Sequence, residues 1–536
     1  METYLIYKYL HKELKVTTNI RKSILVTSFI HYCSDSIYSE IVNRCKSRGD
    51  DIYIYHCSGA LRPLCDIAQQ APFFSKKYFS CQECINSIYH IFHEKCNIPL
   101  SKIISYSFSH DKVSLPVQIS YDDFTKLYYE NFDYGLAVIG ELATGLGKYR
   151  LQPSSHYDLY NNLSSIAINF YKNCIDFFYS QSIDEVFVFN GRLIGMRAPL
   201  RAAQQLNIPV STFEFSGNNS YILAKNSYVQ DQSAYKKQIE DTLSSKNFNA
   251  GKEFFEKQQT NINKFTSDFS ENSLPLDFNS NLTNIVFFNT TQYEICSLLE
   301  YVNEEFLPEQ DSTLLMAAIA YYFQKNPQYH FYIRVHPNMK AEFSTQIEDL
   351  RILNNLSLPN LTIIWPEETV NSYTLMKSCQ KVITFGSTTG IEATYWGIPS
   401  IVCGNNLCPC SEYAYYPKNM RELIDLIQDD NLPPKNQETA IRWGYFQQKK
   451  AIPLTLQTNG NKISLKNRFR QIISTIIKKF IETDLDNLQR DISILQKQLK
   501  RYKIEYYKQS VSEDKKINLR RNIEKFLYDR IGEIND

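Results

Sequence analysis

Short apolar runs alternating with amphipathic stretches outline the first half of the chain. Ile24–Phe29 is an apolar, partly β-branched run of strand length, and Ser34 or Asp35 then offers a helix cap. Arg48 and Gly49 close that helix, and Ile52–His56 reads as a second strand. A β-α-β order of this kind predicts a parallel sheet. The pattern returns with a strand at Glu185–Phe189 ending at Asn190-Gly191-Arg192, a helix through Ala203, and a strand at Pro209–Phe213 ending at Glu214. Residues 225–280 are polar and rich in Lys, Asn and Ser, with short helical stretches, and read as a connection.

A second α/β block follows. Strands are predicted at Ile285–Phe288, ending at Asn289-Thr290-Thr291, and at Tyr332–Val335, ending at His336-Pro337, with a helix at Leu314–Phe323 between them. Leu361–Trp365 ends at Pro366-Glu367-Glu368, and Val382–Phe385 ends at the turn Gly386-Ser387-Thr388-Thr389-Gly390. Each strand delivers small or polar residues at its carboxyl end, the edge where open parallel sheets bind ligands. Toward the C-terminus Leu485, Leu488, Ile492, Leu495, Leu499, Tyr502 and Tyr506 alternate steps of three and four, an a/d seam that suits a helical hairpin or an oligomerising coiled coil. The expected organisation is an N-terminal Rossmann-like unit over 1–224, a linker over 225–282, a second Rossmann-like unit over 283–440 and a helical extension over 441–536.

Composition narrows the function classes. The 536 residues carry 58 Lys+Arg against 57 Asp+Glu, which removes any global argument for nucleic acid or an anionic membrane as partner. Hydrophobic content of 43% and aromatic content of 14% fit folded domains. Thirteen cysteines without a secretion signal suit reduced thiols, and no apolar run reaches the roughly 20 residues that span a bilayer. The chain reads as cytoplasmic.

The turn at Ser387–Thr389 is the leading candidate for chemistry. A strand, a small turn and a helix N-terminus leave backbone N–H groups unpaired and place the positive end of a helix dipole there, so an anion is welcome. Glu392, a turn onward, suits ribose hydroxyls. The competing reading is plain capping, since Ser and Thr start helices well. About fifty residues earlier, His336 and Pro337 close a strand in "FYIRVHPN", with Arg334 two residues before His336. In the N-terminal half, Glu141 in "GELATGLG", Glu214 and Arg192 stand in loops or at strand ends. A carboxylate there could serve as general base and an arginine could offset leaving-group charge; as surface groups or caps they would need no such role. Cys81-x-x-Cys84, with Cys57 and Cys65 upstream and His56, His90 and His93 nearby, carries half the spacing of a structural zinc site. Buried thiols acting as small hydrophobes are the commoner explanation.

The succession "IRVHPN", "IIWPEETVNSYTLMKSCQKVITFGSTTGIEATYWGIPSIVCG" resembles the nucleotide-binding half of two-domain GT-B glycosyltransferases, in particular bacterial capsule and O-antigen transferases that use CMP-activated 3-deoxy-octulosonate or sialic acid. The resemblance covers residues 283–404 and extends loosely to the N-terminal half. It implies two Rossmann-like domains facing across a cleft, with Arg334, His336, Pro337, Gly386, Ser387, Thr388, Thr389 and Glu392 on the donor. Glu141, Glu214 and Arg192 would stand on the acceptor side. It further implies a nucleotide-sugar donor, a glycan or lipid-linked glycan acceptor, and no catalytic metal or other cofactor. The basic amphipathic stretch Lys466–Lys479 reads first as packing on the protein's own core; with a lipid-linked acceptor it would dock at the inner membrane face. A nucleotide-sugar epimerase, a CDP-polyol phosphotransferase and a non-catalytic scaffold with a vestigial cleft are the alternatives.

Overall fold

The computed structural model describes residues 20–28, 35–68, 80–107, 111–148, 150–217, 220–243, 248–265, 273–291, 295–298, 306, 312–337, 339, 344–404, 412–454 and 505–532. Its first unit runs through β1 (Lys22–Thr27), α1 (Asp35–Ser47), β2 (Asp51–Cys57), α2 (Arg62–Ala68) and α3 (Cys81–Ile88), the last continuing into a π-helical segment at Tyr89–Lys95. Then come β3 (Ile103–Tyr106), α4 (Tyr134–Leu146), α5 (Tyr157–Ser180), β4 (Glu185–Phe189), α6 (Ile194–Gln205), β5 (Val210–Gly217) and β6 (Ser220–Lys225). Strands β3-β2-β1-β4-β5 pair in parallel, and β6 returns antiparallel on β5.

Successive side chains of a strand point to opposite faces, and the two cores divide accordingly. Ile24, Val26, Val186 and Val188 join a cluster with α4, α5 and α6. Leu25, Phe187 and Ile54 join another with Ile37 and Ile41 of α1 and Ile91 of the π-helical segment. Both faces are covered, which is why β1 and β4 read as nearly unbroken apolar runs.

The polar connection holds two helices, α7 (Lys236–Leu243) and α8 (Phe248–Phe265). The second unit follows as β7 (Thr283–Phe288), α9 (Ser312–Tyr322), β8 (Tyr329–Arg334), α10 (Thr345–Asn354), β9 (Leu361–Ile364), α11 (Ser372–Ser378), β10 (Lys381–Thr384), α12 (Thr388–Tyr395), β11 (Ser400–Val402), α13 (Met420–Gln428) and α14 (Gln437–Lys450). Its five strands, in the order β11-β10-β7-β8-β9, are all parallel. Read in each unit's own sequence order, both sheets contain 3-2-1-4-5, the order of a Rossmann fold.

Helix α14 packs on α8 at a crossing of two glycines. A Cβ on Gly251 would stand 2.0 Å from the Ile441 carbonyl oxygen, and one on Gly444 would stand 2.6 Å from that of Gly251. Phe255, Trp443 and Phe446 fill the seam together with Ile391 and Tyr395 of α12. The chain then recrosses to the first unit, where β12 (Ile452–Pro453) pairs antiparallel with β6, Ile452 opposite Tyr221. A proline is tolerated at such an edge.

The basic stretch Lys466–Lys479 and the seam positions Leu485 to Tyr502 lie outside the described residues. Tyr506, the last seam position, sits over the Arg351 guanidinium at 3.8 Å. Helix α15 (Glu513–Ile531) lays Ile523, Phe526 and Leu527 into the core of the second unit. That end of the chain therefore packs on its own domain. Among the described residues no helix is long and apolar enough to cross a membrane.

Candidate functional site

In a 3-2-1-4-5 sheet the strand order reverses between the first and fourth strands, and ligands bind at the carboxyl ends beside that reversal. In the second unit these are the ends of β7 and β10. Thr384 closes β10, Gly386 adopts φ +95°, and Ser387 caps α12. The Ser387 hydroxyl accepts from Thr389 N–H at 3.3 Å and is bonded to the Thr389 hydroxyl. Gly390 lets α12 settle onto the sheet, since a Cβ there would lie 3.0 Å from Thr384 Oγ1 and 3.2 Å from Ser400 Oγ. The capping reading of this turn is thus realised in the structure.

At β7 the end is set by Asn289. Its Oδ1 accepts the His336 backbone N–H at 2.7 Å, and its own N–H reaches the Arg334 carbonyl at 3.4 Å. Asn289 is buried and holds the His336-Pro337 exit of β8 beside the end of β7. Thr290 Oγ1 and Thr291 Oγ1 are buried without a hydrogen-bond partner. Such atoms in a native fold call for an explanation.

Two residues expected on a donor are engaged by the protein itself. Arg334 is buried, donates to the Trp365 carbonyl at 2.8 Å and reaches the Val370 carbonyl and Ser372 Oγ at 3.4 Å. Burial lowers its pKa to about 10 against the pull of Glu368 and Glu367. It acts as a strut between β8 and the loop after β9. Glu392 accepts the Tyr373 hydroxyl proton at 2.7 Å and is bonded by Thr388; burial raises its pKa despite both bonds. The end of β9 is occupied as well. The Tyr507 ring stacks on Trp365 at 4.2 Å, and its hydroxyl donates to Glu367 at 3.3 Å.

In the first unit the reversal lies between β1 and β4. Asn190 (φ +56°) and Gly191 (φ +94°) turn the chain into α6. A Cβ on Gly191 would stand 2.8 Å from that of Tyr228, so both the angle and the space require glycine. Asn190 Nδ2 and Gln230 Nε2 donate to one oxygen of Glu214 at 2.9 and 2.8 Å, and Arg192 Nε donates to Asn190 Oδ1 at 3.0 Å. Glu214 and Arg192, far apart in sequence, thus meet through Asn190. Lys450, at the end of α14, feels the charge of Glu214. Its ammonium lies 4.4 Å over the Tyr235 ring, and burial pulls its pKa down to about 8. Nothing in the local sequence of Lys450 signals this, because the crossing of α14 places it.

Glu141 is elsewhere. It is buried inside α4, where it accepts the Ile194 N–H at 3.3 Å at the start of α6. Burial pushes its carboxyl up to about 8. The four cysteines do come together, each within electrostatic reach of others of the set. Among the described residues, however, no group of three or more His, Cys, Asp or Glu is placed to hold a metal ion.

The segment after β7 and the start of α10 touch the first unit at α4 and α6. Ser297, in the segment after β7, packs against α4, where a Cβ on Gly140 would lie 3.0 Å from its own. Arg197 Nη1 of α6 donates to the Ser297 carbonyl at 2.8 Å. Arg192 lies close enough to Cys296 to lower its thiol against the stronger effect of burial. Thr345 N–H on Gly147 O at 3.0 Å and the Arg150–Asp349 pair at 2.9 Å extend the junction.

Two Rossmann-ordered, mainly parallel sheets define an α/β architecture of the GT-B type. No protein-family model matches the chain, and no curated protein sequence matches it. Among solved structures it is similar to the β-Kdo 2,4-transferase KpsC of Thermosulfurimonas dismutans, at 13% identity over 49% of this chain and 79% of that one, TM-score 0.29. The β-Kdo 2,7-transferase KpsC of the same organism gives 14% identity over 51% and 79%, TM-score 0.31. The UDP-GlcNAc 2-epimerase of Neisseria meningitidis gives 12% identity over 80% and 100%, TM-score 0.24. None of these overlaps is close enough to assign a reaction.

Proposed function

We propose that this chain transfers a sugar from a nucleotide-activated donor to a hydroxyl acceptor of a surface glycan of capsule or O-antigen type. The observation that supports the reading is the bond from Arg197 of α6, the helix that starts at one reversal, to Ser297 in the segment that follows β7 at the other. One reversal offers an anion-ready helix start, and the other offers a carboxylate. On this reading the α12 N-terminus and the Ser387–Thr389 turn take the donor phosphate, the unpartnered Thr290 and Thr291 hydroxyls lie on the same edge, and His336 flanks it. Glu214 is favoured over Glu141 as general base, because Glu141 is buried within a helix and its raised pKa leaves it protonated at neutral pH. The acceptor oxygen attacks the anomeric carbon, the carbon–oxygen bond to phosphate breaks, and the hydroxyl proton passes to Glu214. Arg192 and Lys450 offset the charge near that carboxylate.

The test is calorimetry with CMP, UDP, GDP and dTDP on the wild type and on His336→Ala. Selective binding of one nucleotide, weakened about tenfold or more in the variant, supports the donor site; binding of none sinks it and favours a scaffold. Nucleotide release that depends on added acceptor then supports transfer. Interconversion of the sugar without acceptor would instead indicate an epimerase, and release of CMP from a CDP-polyol would indicate phosphotransfer.

A further inference from the structure

Beside the first reversal lies a thiol cluster that the proposed reaction does not use. Cys57 ends β2, Cys65 lies in α2, and Cys81 and Cys84 are the first and fourth residues of α3. Cys57 Sγ accepts the Gly59 N–H at 3.4 Å, and a Cβ on Gly59 would lie 3.8 Å from Cys81 Sγ, so little more than the bare glycine stands between the two sulfurs. The start of α3 is fixed by a reciprocal cap in which Ser80 bonds the Glu83 N–H and Glu83 bonds the Ser80 N–H. Residues three apart on a helix share a face, with Cβ atoms about 5–6 Å apart. Helix geometry sets Cα atoms three residues apart at about 5 Å, within the roughly 4.4–6.8 Å that a disulfide spans, and bridging draws the Cβ atoms in to about 4 Å.

The two thiols differ in setting. Cys81 is half-buried in the first turn of α3. Arg62 Nη1 lies 3.9 Å from its sulfur. Burial instead pushes Cys84 up to about 11, and it raises Cys57 and Cys65 as well. An attacking thiol thus stands beside a resolving one.

We propose that Cys81 and Cys84 form a redox-active dithiol, a modification site that exchanges with low-molecular-weight disulfides. The Cys81 thiolate attacks one sulfur of R–S–S–R, the S–S bond breaks, and R–S⁻ leaves with the electron pair. Cys84 then loses its proton and attacks the Cys81 sulfur of the mixed disulfide, which releases the second R–S⁻. The protein dithiol is oxidised by two electrons, the small disulfide is reduced to two thiols, and the two cysteine protons end on them. Cys65 lies within electrostatic reach of both members of the pair.

The experiment treats the reduced full-length chain with 2-hydroxyethyl disulfide, quenches with N-ethylmaleimide and maps the peptides by mass. The expected product is a Cys81–Cys84 disulfide, two hydrogens lighter than the dithiol peptide, formed about tenfold or more faster than any adduct on Cys57 or Cys65. Cys84→Ser should stall as the mixed disulfide on Cys81, and Cys81→Ser should form no early adduct. The wild-type map decides even if a variant fails to fold. A bridge from Cys81 to Cys57 or Cys65, equal reactivity of all four thiols, or one zinc per chain in the purified protein would overturn the proposal.

Discussion

Arg197 Nη1 donates to the Ser297 carbonyl oxygen at 2.8 Å, and this bond joins the helix that starts at one sheet reversal to the segment that leaves the other. Arg197 is fully buried, pairs with Asp133 at 3.1 Å and lies 5.4 Å from the Tyr228 ring centroid. Burial works against the charge of Asp133, yet Arg197 and Arg201 together hold its pKa below the usual carboxylate value. Replacing Arg197 with Met would leave Asp133 bound by Arg201 alone, which grips it at 2.8 and 2.7 Å. The expected loss is about 2–3 kcal/mol, below the ~3–5 kcal/mol of an orphaned buried charge. A urea midpoint unchanged from wild type would contradict it.

Glu141 makes stability depend on pH in a stated direction. Its pKa rises from 4.5 to about 8 on folding, so between those values the native state holds a proton that the unfolded chain has lost. Stability due to this group is complete below pH 4.5, falls as pH rises toward 8 and then levels off. The fall is a few kcal/mol at about 1.4 kcal/mol per unit. Glu141→Gln keeps an acceptor for the Ile194 N–H without the titration. Melting temperatures from pH 5 to 8 should therefore decline more steeply in the wild type than in the variant; parallel curves would refute the assignment.

Ser387 has a capping role and a proposed binding role, and two substitutions separate them. Alanine at an N-cap costs about 1 kcal/mol, whereas glycine costs a few tenths. Ser387→Ala should therefore unfold earlier than Ser387→Gly. If the hydroxyl contacts a nucleotide phosphate, both variants should lose affinity alike in calorimetry. Affinity that tracks stability instead would leave Ser387 a cap and no more.

Asn289→Ala removes the acceptor of the His336 N–H in a buried setting. A cost of about 1–3 kcal/mol is expected. Nucleotide affinity should fall with it if His336 contributes to binding. Preserved affinity in a folded variant would place His336 outside the donor site.

Tyr507→Ala empties the face of Trp365 at the end of β9. A loss of about 3–5 kcal/mol follows from removing a buried ring. Tyr507→Phe should cost only about 1 kcal/mol, for the bond to Glu367. Equal effects of the two, measured by thermal unfolding, would mean that the ring does not pack as described.

The sequence by itself determined the two α/β blocks and the polar ends of their strands. Apolar runs such as "KSILVT" and "TNIVFF" are buried on both faces, and hydrophobic periodicity reports burial directly. It also marked Ser387 as a helix start, because capping is local chemistry. Tertiary structure decided which of those ends remain open to a ligand. Arg334 and Glu392 bear the right groups at the right offsets, yet partners remote in sequence engage them: the Trp365 carbonyl for one and the Tyr373 hydroxyl for the other. Lys450 reaches the neighbourhood of Glu214 because two glycines, Gly251 and Gly444, let α14 lie close against α8. Period and propensity act over a few residues. Contacts between groups hundreds of residues apart depend on how whole elements cross, and that is settled only when the core packs.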